Sequence, residues 1–190
     1  HIVVMPRFDA ARTLALLAKH RVDWVLLVPT MMLRIWRLPP EERARHDLSA
    51  LRIVLHLAAP CPAWLKQAFI DWLGPTRVHE LYGGTEGQGA TWITGEEWLS
   101  HRGSVGKPMP GHNMKILDEA GHALPPGEVG EVYMLPDVGV GTTYRYVGAE
   151  PRRRPDGWET LGDMGYVDAD GYLYLADRGA DMILRGGANL

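Results

Sequence analysis

The sequence predicts a mixed α/β fold: a parallel-sheet α/β segment over residues 1–100, then a small antiparallel, β-barrel-like subdomain over residues 101–176. Three observations predict it. Strand-like and helix-like runs alternate through the first hundred residues, the pattern that builds parallel sheets. Near residue 101 helical periodicity gives way to short apolar runs separated by turn signals. In that second half Asp118-Glu119-Ala120-Gly121 and Asp168-Ala169-Asp170-Gly171 stand between apolar runs, where hairpin turns belong.

The elements follow in order. Ile2 to Met5 is a short apolar, strand-like run. Asp9 is placed to cap a helix reaching about His20, with Leu14, Leu17 and Ala18 at helical spacing. Trp24 to Val28 reads as a buried strand, and Pro29-Thr30 opens a helix to about Arg37. Pro39-Pro40-Glu41-Glu42 starts a further short helix, with proline in its first turn. Leu51 to Leu55 is a strand, Pro62 to Leu73 an amphipathic helix ended by Gly74-Pro75, and Val78 to Leu81 a strand again. In the second half Met114 to Leu117, Glu131 to Leu135, Tyr166 to Asp168 and Tyr172 to Leu175 read as strands, and Pro151 to Pro155 as an exposed loop. There is no internal repeat.

Composition narrows the function. Of 190 residues 46% are hydrophobic and 23% charged, which suits a globular protein with a good core, and the net charge of −3 disfavours a protein that grips nucleic-acid phosphates. One cysteine, Cys61, leaves no internal disulfide and no multi-cysteine zinc site, so a reducing, cytoplasmic setting is expected. The longest apolar run, Val22 to Trp36, is interrupted by Asp23, Pro29 and Arg34 and is too short to span a bilayer. The chain begins at His1 within a strand-like run and stops at Gly186-Gly187-Ala188-Asn189-Leu190, so it is expected to be an internal piece of a longer polypeptide.

Three segments carry candidate chemistry. Tyr82-Gly83-Gly84-Thr85-Glu86-Gly87-Gln88-Gly89 follows directly on a strand. Its glycines permit close backbone approach to a ligand, and it offers an aromatic ring, a hydroxyl and a carboxylate suited to a hard cation. An ordinary glycine-rich turn reads equally well from the residues alone. Gly157 to Tyr166 places Asp163 after a glycine, where it either accepts ribose hydroxyls or caps its own turn; on local pattern the turn is favoured. Asp177-Arg178 through Gly186-Gly187 offers a planar guanidinium for phosphate or ribose and a glycine pair for a hinge, or a surface ion pair and a turn. Other readings fail. His79-Glu80 lacks the second histidine of a zinc-protease helix, Asp168-Ala169-Asp170-Gly171 lacks the spacing of a calcium loop, and no phosphate-binding Gly-Lys-Ser/Thr loop is present.

Together and in this order, the three segments resemble the core motifs of the adenylate-forming superfamily of acyl-CoA synthetases, luciferases and adenylation domains. Tyr82-Gly83-Gly84-Thr85-Glu86 matches Tyr-Gly-x-Thr-Glu. Gly157-Trp158 with Gly162-Asp163, and Asp177-Arg178 through Gly186-Gly187, match the next two motifs. Leu51-Arg52 leading to Ala58-Ala59-Pro60, Gly103 to Pro108 and Gly127 to Glu131 fit as well, so the resemblance covers the whole chain. It is nearest to the AMP-forming, fatty-acyl or bile-acid CoA ligases.

The resemblance implies part of the large N-terminal domain of an acid-thiol ligase. Such an enzyme adenylates a carboxylic acid with ATP and Mg²⁺, then passes the acyl group to coenzyme A. It implies Glu86 on Mg²⁺, Thr85 on phosphate, Tyr82 and Gly83 with Ala58, Ala59 and Pro60 around adenine, Asp163 on the ribose, and Arg178 on ribose and phosphate. His56, Glu80 and Leu81 are implied to line the acyl pocket. Residues 177–190 are implied to lead to a C-terminal lid domain outside the chain, and the phosphate loop is placed upstream of His1, so the piece by itself is expected to be inactive. Two alternatives stay open: an adenylation domain that loads a carrier protein, and a nucleotide-binding module without catalysis. Departures from the pattern are Ala180 at a usually polar hinge position, Leu161 in place of the common Thr before Gly-Asp, and Gly84 at a variable site. Trp64, Trp72, Trp92 and Trp98 either shape an apolar pocket or fill the core.

Overall fold

Asp9 starts the first helix as its position predicts. Its carboxylate accepts the Arg12 backbone N–H at 2.8 Å, and α1 runs over Ala10–Lys19 with Leu14 and Leu17 buried. The structure is a computed structural model that describes residues 2–136, 147, 151–176, 184–185 and 188–189. By contacts it forms two units. One comprises His1–Glu80, Thr94–Glu96 and Leu184–Leu190, the other Leu81–Ile93 and Glu97–Ile183.

In the first unit β1 (Trp24–Leu27), β2 (Ile53–His56) and the start of β3 (Val78–Gly83) pair in parallel. The register sets Leu27 beside His56 and His56 beside Glu80. Between the strands come α2 (Pro29–Trp36), α3 (Pro40–Ala44) and α4 (Ala63–Leu73). Proline opens α2 and α3, where its missing N–H costs nothing, and Gly74 at φ +95° stops α4. Met32, Ile35, Val54, Leu65, Phe69 and Val78 form a core of buried side chains.

Two expectations for this half need correcting. Ile2 to Met5 lies outside any strand, with Ile2 and Val4 exposed. A run that short becomes a strand only by pairing, and none of the described strands takes it. β1 is not a buried strand: it is the edge of the parallel sheet, beside β2, and Trp24 and Leu26 on one of its faces are exposed.

The sequence reading passes over two elements: β4 (Ala90–Thr94), which pairs antiparallel with β5 (Lys107–Pro108), and α5 (Gly95–Ser100) between them. The β-rich half forms as predicted, with small shifts at its ends. β6 (His112–Leu117), β7 (Gly130–Pro136), β8 (Met164–Val167) and β9 (Leu173–Leu175) make an antiparallel sheet in that order. Both Asp…Gly turns are present. Asp118 caps its own turn by accepting His122 N–H at 2.7 Å, and Asp168 accepts Asp170 and Tyr172 N–H at 3.0 and 2.9 Å. The sheet is open rather than barrel-like, because among the described residues no pairing joins β6 to β9. Ile116, Val132, Met134 and Leu173 form its core, and Tyr82 packs against them. The short strands β10 (Leu184–Arg185) and β11 (Ala188–Asn189) pair antiparallel in the C-terminal segment.

Candidate functional site

The site residues of the second unit lie on two segments. The first is the end of β3 and the turn after it, where Gly87 N–H bonds the Gly84 carbonyl at 3.1 Å. Gly83 has to be glycine here: a Cβ would stand 2.8 Å from the Gly89 carbonyl oxygen and 3.2 Å from the Ala90 Cβ. The second segment, Trp158 to Asp163, runs into β8. Trp158, Glu159, Thr160 and Asp163 are all buried. It is fastened along its length. Glu159 N–H bonds the Met134 carbonyl at 3.0 Å, Thr160 Oγ1 donates to Glu131 Oε1 at 3.1 Å, and Val132 N–H bonds the Asp163 carbonyl at 2.9 Å. Arg153 holds Glu159 of this stretch at 2.6 Å, and Arg152 holds Glu131 of β7, the Thr160 partner, at 2.8 Å.

The two segments meet. The Tyr82 hydroxyl donates to Asp163 Oδ2 at 2.7 Å across 81 positions of sequence. One turn further along the loop, Gly84 lies against both Glu86 and Leu161: a Cβ at 84 would be 2.5 Å from Glu86 Oε2 and 2.7 Å from Leu161 Cδ1. Thr85 is exposed beside Glu86, its Oγ1 3.5 Å from Oε2. Tyr82, Gly83, Thr85, Glu86 and Asp163 are therefore gathered in one place. It presents an aromatic ring, a hydroxyl and two carboxylates, which suits a nucleoside on one side and a hard cation near Glu86 on the other. Arg178 lies outside the described residues, as do the rest of 177–183 and the Gly186-Gly187 pair.

The first unit holds the other candidates. Ala58, Ala59 and Pro60 form a bend after β2, and Ala58 takes φ +74°, a left-handed conformation rare for a residue with a Cβ. His56 and Glu80, adjacent across the parallel ladder, are both buried, and Glu80 Oε2 meets Lys66 Nζ of α4 at 2.6 Å. His56 Nδ1 stands 3.8 Å from Glu80 Oε1, and among the described residues neither ring nitrogen has a hydrogen-bond partner. Burial, and then the Lys66 charge, push the imidazole down to about 3, so His56 is neutral. Burial also raises the Glu80 carboxyl and lowers the Lys66 ammonium, each opposed by the partner's charge. The Cys61 thiol is pushed up to about 12, by burial first and by Glu80 second. His56 and Glu80 thus face Lys66 within the fold. Leu81, the next residue along β3, is half-buried in the second unit.

Sequence reasoning missed Lys66. The signal was there: Phe69, Ile70 and Leu73 follow it at i+3, i+4 and i+7, which puts Lys66 on the apolar stripe of α4. The four tryptophans divide. Trp64 is exposed, Trp92 half-buried and Trp98 buried, while Trp72 joins Trp36 and Phe69 in a ring cluster with centroids 5.5–6.4 Å apart.

Known proteins resemble this chain along its length. The family described as AMP-binding enzyme matches residues 1–144. A long-chain-fatty-acid–CoA ligase of Bacillus subtilis is 32% identical over 191 residues, which cover all of this chain and 33% of that protein. The solved amide bond synthetase McbA of Marinactinospora thermotolerans superposes with a TM-score of 0.81 at 28% identity, over 98% of this chain and 38% of that one. The o-succinylbenzoate CoA synthetase of Bacillus subtilis, solved with ATP and magnesium ion, gives a TM-score of 0.75 at 27% identity, over 97% of this chain and 37% of its own. The chain thus spans about a third of the length of the relatives it matches. Among the described residues no helix is long and apolar enough to cross a membrane.

Proposed function

Because the chain belongs to the family of AMP-binding enzymes, we propose that the protein carrying it joins a carboxylic acid to coenzyme A through an acyl-adenylate. A carboxylate oxygen of the acid attacks the α-phosphorus of ATP and pyrophosphate leaves. The coenzyme A thiolate then attacks the acyl carbon and AMP leaves. The observation that carries this reading is the Tyr82–Asp163 hydrogen bond, which sets an aromatic face and a buried carboxylate side by side beneath the Thr85-Glu86 turn.

The roles follow from chemistry. Tyr82 gives adenine a stacking surface, and the Asp163 carboxylate accepts the ribose hydroxyls beside it. Glu86, a carboxylate on a glycine-rich turn, fits a hard cation such as Mg²⁺, which supplies charge neutralisation on the phosphates when bound. Thr85 donates its hydroxyl to a phosphate oxygen, and Arg178 serves the ribose and phosphates. Adenylyl transfer depends chiefly on such positioning and charge compensation.

For the acid, we propose a fatty-acyl substrate, supported by the Bacillus subtilis ligase. The likeness to an amide bond synthetase keeps a second acceptor in view, with an amine or a carrier protein taking the acyl group in place of coenzyme A. The test uses the full-length protein, a panel of fatty and aromatic acids, and ATP–pyrophosphate exchange. Exchange that requires the acid, followed by AMP release on adding coenzyme A, is expected. ATP binding without acid-dependent exchange would instead indicate a non-catalytic nucleotide-binding module. Exchange without coenzyme A turnover would favour the other acceptor.

A further inference from the structure

We propose that Gly84 and Leu161 are a matched pair that fixes the position of the Glu86 carboxylate, making both positioning residues for the site; this rests on the Mg²⁺ role of Glu86 given above. The space over the Gly84 Cα is filled from two sides. Glu86 Oε2 would be 2.5 Å from a Cβ at 84, and the two terminal carbons of Leu161 would be 2.7 and 3.3 Å away. No room remains for a methyl group, so the carboxylate and the leucine together occupy the place a side chain would take.

The two sides differ in rigidity. Leu161 sits on a fastened segment. Thr160 Oγ1, immediately before it, donates to Glu131 at 3.1 Å and accepts the Gly162 N–H at 2.9 Å, and the Asp163 carbonyl is held by Val132. The Gly84–Gly87 turn is closed by a backbone bond of 3.1 Å, and Thr85 at its tip is exposed. Leu161 is therefore the wall and the turn rests on it. Gly84 does not have a left-handed φ, so alanine fits its backbone without strain. The contacts a Cβ would make are with the ends of flexible side chains, so the fold survives the substitution and the Glu86 carboxylate moves.

This joins two residues that look unrelated in sequence, Gly84 and Leu161, 77 positions apart. With Leu161 closing one side and the carboxylate the other, only glycine at 84 leaves Glu86 where it is.

The experiment measures the Mg²⁺ concentration giving half-maximal pyrophosphate exchange in the full-length protein, together with the melting temperature. Gly84→Ala is expected to raise that concentration at least fivefold while the melting temperature stays within a few degrees. Leu161→Ala, which removes the wall, should also raise it, and the double variant should be no worse than Gly84→Ala alone, a coupling that separate effects would not give. Leu161→Phe, which fills the same space without altering the turn's backbone, should reproduce the Gly84→Ala shift. A wild-type Mg²⁺ dependence in Gly84→Ala, or additive effects in the double variant, overturns the pair. Glu86→Gln separates the two levels. If it leaves the Mg²⁺ dependence unchanged, the role of Glu86 fails and the pair with it. If it shifts the dependence while Gly84→Ala does not, the pair alone fails.

Discussion

Asp163 is held by groups that leave little freedom. Its carbonyl bonds Val132 N–H at 2.9 Å, and its Oδ2 accepts the Tyr82 hydroxyl at 2.7 Å while the residue is buried. Replacing it with alanine should therefore act on nucleotide binding more than on turnover: Asp163→Ala is expected to raise the Michaelis constant for ATP by tenfold or more, on the order of the 1.5–3 kcal/mol of a charged hydrogen bond. Tyr82→Phe keeps the ring and removes the hydroxyl that bonds the Asp163 carboxylate, so about 1 kcal/mol in kcat/KM for ATP is expected. If the hydroxyl works through Asp163, the double variant will be no worse than Asp163→Ala. Steady-state kinetics with varied ATP decides it, and additive losses would show that the hydroxyl acts on the nucleotide directly. The identities of Tyr82, Glu86 and Asp163 are legible in the sequence because glycines mark their loops. Their meeting is not legible, since nothing local to Tyr82 states that a residue 81 positions away accepts its hydrogen bond. On local pattern Asp163 reads more readily as a turn cap; in the fold its side chain reaches across to β3.

At the scale of elements, what can be read is what is written locally. Asp9 begins α1 and Gly74 ends α4, each through a backbone requirement that those residue types satisfy. β4 and α5 go unread because Gly89 and Gly95 bracket the strand like turn residues, and the helix opens on a poor helix former. α4 shows the limit of an amphipathic pattern. Its stripe includes Lys66, which the reading assigns no partner and the fold buries against Glu80 at 2.6 Å. Lys66→Met leaves a buried carboxylate without its counter-ion, which typically costs about 3–5 kcal/mol. Lys66→Met/Glu80→Leu removes both charges and should recover most of that loss, since a paired buried charge is rarely worth more than apolar packing of equal volume. Urea unfolding of the three proteins measures both values. A Lys66→Met protein as stable as the wild type would mean that the pair contributes nothing in the native state.

For the whole molecule, alternation of strands and helices legibly gives the mixed α/β class and the later antiparallel sheet, whereas closure does not follow from it. A run of short strands is compatible with an open sheet or a barrel, and register and pairing, which no single strand encodes, decide that β6 to β9 stay open among the described residues. The pH range of stability is likewise set by groups whose burial only the fold reveals. His56 faces Lys66 and Glu80 and is held neutral, with its folded value near 3 against 6.5 in the unfolded chain. Between these values the unfolded chain binds a proton that the native one does not, so stability is full above about 6.5 and declines as pH falls toward 3, by up to about 1.4 kcal/mol per pH unit. On the alkaline side Cys61 behaves oppositely: its thiol stays protonated to about 12 when folded, against 9.0 unfolded, so stability declines as pH rises through that window. Tyr174, raised to about 12 by burial and by Asp168, adds in the same direction. A plateau between about 6.5 and 9 is therefore expected in urea midpoints taken from pH 4.5 to 10. His56→Leu, which removes the acid-side group, should flatten the acid limb relative to the wild type, and Cys61→Ala should soften the alkaline one. Parallel acid limbs in wild type and His56→Leu would place the acid sensitivity in the carboxylates instead of the buried imidazole.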